Sequence, residues 1–310
     1  MKTLLVANSG GHVSELVSLR DRIADITDEL WVTDDSPQTR KLIGDRPTAW
    51  VPLIESRDFA GVARAIPAAI ACLRSGRYDR VISTGAAIAL AYLPIAAAMG
   101  VSAHYIESTA RVVRPSVTGR VLAKVPGITT WWQYDSPPDG WLKVDGPFSR
   151  FGRVDEPTPV TVRRIVVTVG TTPYSFHRLI DRLVEIIPDD VEVFWQVGAT
   201  DTSRHPIEAY PLVDQATLKA AIADADVVIS HAGAGSLLEC LAVGHIPVLA
   251  PRLGSLGEQN DDHQLELASW AHDRRLAETV DAATISWSDI ERAAQAHCDA
   301  NPPSIIELDT

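Results

Sequence analysis

The sequence predicts an α/β protein of two doubly wound domains, each a parallel sheet covered by helices on both faces. Three observations carry that expectation. Short apolar runs alternate with longer helical patterns along the 310 residues. The alternation halts at a charged, proline-bearing stretch, Asp155-Glu156-Pro157-Thr158-Pro159, which reads as a linker, and then restarts. Each half also runs a strand into a glycine-bearing turn and a helix, first at Asn8–His12 and again at Ser230–Ser236. The expected domains are 1–155 and 160–310, with the C-terminal helix returning to the first and a cleft between them as the natural ligand site.

In the first half the expected strands are Thr3–Ala7, Leu30–Thr33, Ala49–Leu53, Arg80–Ser83, Ala103–Ile106 and Ile128–Trp131. Helical patterns are clearest at Val13–Ile23, Phe59–Leu73 and Ala86–Met99. In the second half the strands are Arg164–Val169, Val191–Gln196, Asp226–Ser230 and Ile246–Ala250. Helices are expected at Phe176–Ile187, Asp214–Ala223, Ser236–Ala242, Glu258–Trp270 and Ser288–His297, with a non-helical tail from Asn301. The uncharged stretch Thr84–Ala103 is long enough to span a bilayer, but it is alanine-rich and interrupted by Pro94 and Gly100. It reads as a buried helix followed by a buried strand.

The net charge of −12 is unevenly placed. Residues 1–155 hold 18 Lys+Arg against 16 Asp+Glu, and residues 156–310 hold 10 against 24. With no basic stripe to offset phosphate repulsion, nucleic-acid binding is not expected. Cys72, Cys240 and Cys298 are odd in number and far apart, which fits a reduced, cytoplasmic setting and no metal site. The only Asp-x-Asp spacing, Asp224-Ala-Asp226, leads directly into a strand and makes a poor metal clamp.

The most informative segment is Ser230-His-Ala-Gly-Ala-Gly-Ser-Leu-Leu-Glu239. Gly233 and Gly235 allow close backbone approach, and a helix start near Ser236 adds orphan amides and partial positive charge, a setting for a diphosphate. Against this, Ser236-x-x-Glu239 also matches a plain capping box. Downstream, Glu258–Gln264 clusters carboxylates, amides and His263, groups suited to hydroxyl recognition or to an acidic first helical turn. In the first half, His12 stands at a helix start, where positive charge disfavours the imidazolium and leaves a proton acceptor.

Ser230–Glu239, together with Asn260-Asp-Asp-His-Gln-Leu-Glu-Leu-Ala268 and Val167-Thr-Val-Gly-Thr-Thr172, resembles the catalytic subunit of the eukaryotic two-subunit UDP-N-acetylglucosamine transferase acting on dolichyl-diphosphate sugar. It is also similar to the bacterial peptidoglycan N-acetylglucosaminyltransferase of glycosyltransferase family 28. The resemblance implies donor contacts from Gly233, Ala234, Gly235 and Ser236 to the diphosphate, with His231 in the same turn and Glu239 on the ribose. His263 and Gln264 would meet the transferred sugar, Gly170 and Thr171 would flank the phosphates, and Leu212 and Val213 would lie at the uracil edge.

Gly10-Gly11-His12-x-x-Glu15-Leu16 resembles the acceptor-side partner of that eukaryotic enzyme. So does Tyr105-Ile-Glu107-Ser108-x-Ala110-Arg111 with Ser116-x-Thr118-Gly119-Arg120, which is also similar to the acceptor-side subunit of bacterial exopolysaccharide glucuronosyltransferases. One chain thus resembles a fusion of two separate halves, and it opens on a strand where the eukaryotic partner has a membrane anchor. The resemblance implies a GT-B architecture: two Rossmann-like doubly wound domains facing across a cleft, acceptor side first.

The expected activity is an inverting transfer from a UDP-sugar, UDP-N-acetylglucosamine or UDP-glucuronate, to a hydroxyl of a polyprenyl-diphosphate-linked saccharide. No cofactor or metal is required. His12 is the expected base, Glu107 a second acid/base or acceptor ligand, and Gly10, Gly11, Ser108 and Arg111 further acceptor contacts; an ion pair between Glu107 and Arg111 is the plainer alternative. The basic, valine-rich stretch 111–124 is expected to touch an anionic membrane, with Trp131, Trp132 and Trp141 as extensions of that surface or as core. A cytoplasmic protein, peripheral on the inner face of the membrane, follows. The rival expectations are a UDP-sugar 2-epimerase and a non-catalytic nucleotide-sugar-binding partner.

Overall fold

The computed structural model describes residues 1–55, 58–156 and 160–308, and the chain divides into two compact units: Met1–Ser149 with the tail from Pro303, and Arg150–Pro302. Residues 157–159 of the expected linker lie outside the described residues. The first unit runs β1 (Lys2–Ala7), α1 (Gly11–Arg20), β2 (Asp28–Asp34), α2 (Pro37–Ile43), β3 (Thr48–Val51), α3 (Phe59–Gly76), β4 (Arg80–Gly85), α4 (Ala89–Ala98), β5 (Ser102–Ile106), α5 (Val117–Leu122), β6 (Ile128–Trp132) and β7 (Leu142–Lys143). Its strands form one parallel sheet in the order β3-β2-β1-β4-β5-β6-β7. β1 is buried from Thr3 to Ala7, as a strand covered on both faces must be. Leu5, Leu16, Leu19, Trp31, Ile82 and Ile106 form the core on one face.

The second unit runs β8 (Phe151–Asp155), β9 (Arg164–Thr168), α6 (His177–Ile186), β10 (Glu192–Gln196), β11 (Ala209–Tyr210), α7 (Gln215–Asp224), β12 (Val227–Ser230), α8 (Ala234–Val243), β13 (Val248–Leu249), α9 (His263–Asp273), β14 (Glu278–Thr279), α10 (Trp287–Ala294) and β15 (Ala296–Ala300). Its main sheet is parallel, in the order β11-β10-β9-β12-β13-β14. Both sheets therefore wind outward from a central pair, β1/β4 and β9/β12. At that pair the connections diverge and leave a crevice at the carboxyl ends of the strands.

Several elements differ from expectation. The helix α2 follows Ser36, whose side chain accepts from Thr39 N, with Pro37 at its first position. α9 begins at His263, five residues later than expected, because the preceding acids serve as loop ligands: Glu258 accepts from Leu253 N at 3.0 Å and Asp262 from Gly254 N at 2.9 Å. α10 stops at Ala294, and the chain reverses into β15, which pairs antiparallel with β8. That helix packs into the second unit through Ile290 and Ala293; the segment that joins the first unit is the non-helical tail. There Ile306 N donates to Arg22 O at 2.7 Å and Ile306 O accepts from Ala24 N at 2.9 Å.

The apolar stretch 84–103 is split among β4, α4 and β5, and no helix among the described residues is long and apolar enough to cross a membrane. Trp131, Trp132 and Trp141 are core residues, with Trp132 and Trp141 edge to face at 5.9 Å, so they extend no surface.

Candidate functional site

In the second unit every residue expected to meet the donor follows a strand's carboxyl end, on one edge of the sheet. The turns after β9 and β12 close on each other through His231. A Cβ at Gly170 would lie 2.6 Å from the His231 ring, and one at Gly233 would lie 2.5 Å from it. Gly170 also has φ +76°, so both turns are restricted to glycine, one of them twice over. Burial, helped by the nearby Arg252 cation, pushes His231 down to about 4, so the ring is a neutral spacer at pH 7. Its Nδ1 lies 3.4 Å from Thr168 O across the switch point.

The helix α8 starts at Ala234, two residues before the expected position, with Gly233 as its N-cap and no side-chain cap. The capping box at Ser236-x-x-Glu239 is therefore not formed; the box the chain does form lies at Ser286 and Asp289. Ala234, Gly235 and Ser236 occupy the first turn, where backbone amides have no intrahelical acceptor. Gly235 is exposed, with open space around its Cα. Glu239 is half-buried, and burial raises its pKa against the pull of Lys219.

His263 is half-buried at the start of α9, its Nδ1 held by Asp261. It lies near enough to His231 to depress that ring's pKa. Gln264 is 2% exposed, and its Oε1 accepts from Arg252 N at 3.2 Å, so this side chain braces the β13 loop. Thr171 is exposed beside Gly170. Leu212, 59% exposed, and half-buried Val213 follow β11, two strands away from the switch point. Asp226 and Asp224 lie at the opposite sheet edge: Asp226 accepts from Arg163 N and Arg164 N, and Asp224 pairs with Arg164.

Sequence reasoning missed Arg252. It is fully buried, and its guanidinium donates to Val169 O, Tyr174 O and Ser175 O. Nearby, Arg178 donates to both oxygens of Glu258, and Tyr174 Oη donates to Asn260 Oδ1 at 2.5 Å. Together these bonds tie the loop after β9 and the start of α6 to the loop after β13.

In the first unit His12 is the second residue of α1, after Gly10 at φ 84°. Its Nδ1 bonds Thr84 O at 2.9 Å, and Thr84 Oγ1 donates back to His12 O at 2.7 Å. A carbonyl can only accept, so Nδ1 carries the proton and Nε2 keeps a free lone pair. Burial lowers His12 below 6.5 and the Arg111 charge lowers it further, while the Thr84 bond opposes both. The ring is a half-buried, neutral imidazole of fixed tautomer, and Gly11 beside it is exposed.

Glu107 is placed otherwise than expected. It is 1% exposed and faces inward, accepting from Tyr105 Oη and Ser108 N on Oε1 and from Ser116 N and Ser116 Oγ on Oε2. A Cβ at Gly119 would lie 2.3 Å from Glu107 Oε2 and 3.0 Å from the Tyr105 ring. The two stretches 105–111 and 116–120 thus meet around one carboxylate that shapes a loop. Glu15 does similar work from α1. Burial raises it to about 8, and its Oε1 accepts from Thr109 N at 2.9 Å and from Gln133 Nε2. Ser108 and Arg111 ride on the loop so held, both half-buried.

Comparison with solved structures identifies the fold. MurG of Acinetobacter baumannii is similar over 94% of this chain and 89% of that one, with TM-score 0.63 and 17% identity. The Streptomyces sp. SF2575 glycosyltransferase SsfS6, complexed with thymidine diphosphate, covers 94% and 93% at TM-score 0.53 and 20% identity. S. aureus MnaA with UDP covers 93% and 94% at TM-score 0.58 and 8% identity. No curated protein matches the sequence. The fold is that of the GT-B glycosyltransferases. Residues 164–293, most of the second unit, match the glycosyltransferase family 28 C-terminal domain, and this match together with the GT-B fold supports a glycosyltransferase of the family 28 type.

Proposed function

We propose that this chain transfers a sugar, with inversion, from a UDP-sugar to a hydroxyl of a polyprenyl-diphosphate-linked saccharide. UDP-N-acetylglucosamine and UDP-glucuronate are the leading donors. The observation that carries the reading is the pair of glycine turns locked around His231 at the β9/β12 switch point, inside the family 28 domain. Two structural neighbours were solved with thymidine diphosphate and with UDP, which supports a nucleoside diphosphate as the ligand class of this reading.

In this reading the amides of the first turn of α8, with Gly170 and Thr171, receive the diphosphate. Glu239 takes the ribose hydroxyls, His263 the sugar, and Leu212 and Val213 the uracil; Gln264 acts from behind by bracing the loop. His12 Nε2 removes the proton from the acceptor hydroxyl as its oxygen attacks the anomeric carbon. The bond from that carbon to the diphosphate breaks, and the α8 amides and helix dipole stabilise the negative charge left on UDP. Gly10, Gly11, Ser108 and Arg111 line the acceptor side, with Glu107 and Glu15 holding their loop.

Val113, Val117 and Val121 are exposed beside Arg114, Arg120 and Lys124, a surface suited to an anionic membrane that carries a lipid acceptor. Peripheral docking at the inner membrane face follows from this reading.

A nucleotide-sugar panel read by thermal shift identifies the donor. Incubation with that donor then gives transfer only when a lipid-linked acceptor is present. Release of free epimerised sugar from donor alone would instead support the UDP-sugar 2-epimerase activity. Failure of every uridine nucleotide to raise the melting temperature would remove the donor assignment.

A further inference from the structure

Arg252 is the largest charged side chain that the second unit fully buries, and among the described residues no carboxylate is hydrogen-bonded to it. Its partners are backbone carbonyls: Nη1 donates to Tyr174 O at 3.0 Å and Ser175 O at 2.9 Å, and Nη2 donates to Val169 O at 2.9 Å. The guanidinium lies over the Phe176 ring, 4.6 Å from its centroid. Burial lowers its pKa to about 10 against the opposing pull of the Glu258 carboxylate, which is itself bonded to Arg178, so Arg252 is still a cation at neutral pH. Such a charge is costly to bury and is ordinarily matched by an anion.

The peptide unit explains what the bonds achieve. A trans peptide points its C=O and the following N–H in opposite directions. Since Val169 O is drawn toward Arg252, the Gly170 N–H of the same peptide faces away from it. Gly170 is also the residue packed against His231 and, through that ring, against Gly233. The cation therefore sits behind the two turns to which the donor diphosphate is assigned, and it is close enough to depress His231.

We infer that Arg252 is the positioning residue of the donor loop: it holds the Val169, Tyr174 and Ser175 carbonyls inward, and thereby presents the Gly170 amide and a buried positive charge to a bound diphosphate. It touches no ligand itself. The inference rests on the proposed nucleotide-sugar donor, and it adds the group that sets the loop and the charge that a diphosphate would offset. Arginine is required because a single planar fork spans three carbonyls; an ammonium keeps the charge but not the spread.

The test is calorimetric titration of the intact protein with UDP, UMP and uridine, for wild type, Arg252→Lys and Arg252→Met, with each variant's fold checked by circular dichroism. UDP affinity is expected to fall about 10- to 100-fold in Arg252→Met, the range for misplacing one loop amide that bonds a charged ligand. Arg252→Lys should recover part of that loss. The loss should shrink from UDP to UMP and vanish for uridine, a gradation that a merely structural role would not produce. Equal losses for all three ligands, or an unchanged UDP affinity in Arg252→Met, would overturn the inference while leaving the donor reading intact. Wild-type protein that binds none of the three would overturn the donor reading and the inference together. If Arg252→Met does not fold, the lysine variant decides: an undiminished wild-type UDP-to-uridine ratio with undiminished UDP affinity contradicts the need for a guanidinium.

Discussion

His12 follows β1 and His231 follows β12, opposite members of the central strand pair in two sheets of the same winding, and their settings differ. Each spans the central strand pair of its sheet and approaches a backbone carbonyl at the end of the other strand: Thr84 O for His12, Thr168 O for His231. His12 makes a 2.9 Å bond and is half-buried, with one nitrogen fixed and the other free. His231 has contacts no shorter than 3.4 Å on Nδ1 and is buried between two glycines. The lesson is that position at a switch point does not make a base. A base needs one anchored nitrogen and one accessible lone pair, whereas a ring packed against two backbones is a spacer.

The comparison breaks first on function. His12→Ala should lower kcat about 10²- to 10⁴-fold, the contribution of a positioned general base, with UDP affinity unchanged in calorimetry. His231→Ala should do the reverse, weakening UDP binding and lowering the melting temperature.

The glycines give the next largest effect. Gly170→Ala places a methyl 2.6 Å from the His231 ring on a left-handed backbone, and should cost about 2–4 kcal/mol in denaturant unfolding. Gly235→Ala meets open space, so stability should hold while UDP affinity drops because the amide face is obstructed. Equal melting temperatures for the two variants would contradict the locked-turn geometry.

Glu239→Ala should weaken UDP binding by about 1–3 kcal/mol through a lost hydrogen bond, with no loss of helix stability because Glu239 caps nothing. A fall in melting temperature without a change in UDP affinity would oppose the ribose assignment.

The smallest effect is in the pH profile. His12 must be neutral to act, and its folded pKa lies below 6.5, so activity should be full above that value and fall as pH drops through the lower one. Arg111→Met removes one of the influences that lower it, and should move the acidic limb of kcat/KM toward higher pH. A limb that stays fixed would separate Arg111 from His12.

Much of this architecture was legible because its signals are local. The β1-turn-α1 and β12-turn-α8 junctions combine an apolar run, glycines and a helix start within about a dozen residues. What escaped depends on distant partners. β8 and β15 pair over more than a hundred residues of intervening chain, and neither has a strand pattern distinct from a linker or a helix end. Arg252 follows a proline in a loop with no local partner in the sequence; the carbonyls it bonds lie some eighty residues earlier. The one clue was its place just beyond the Ile246–Ala250 run, at the carboxyl edge of a parallel sheet. Glu107 was read correctly as lying at a strand end, but its inward rotamer is dictated by Ser116 and by the space left at Gly119, which only the folded loop reveals. The acids at 258–262 have the composition of a helix start and instead satisfy loop amides.

A crystal structure of the protein with UDP addresses the central assignment most directly. The account predicts the diphosphate against the amides of Gly170 and of residues 234–236, with the ribose at Glu239. Electron density for UDP at any other edge of the second sheet, or in the first unit, would contradict it.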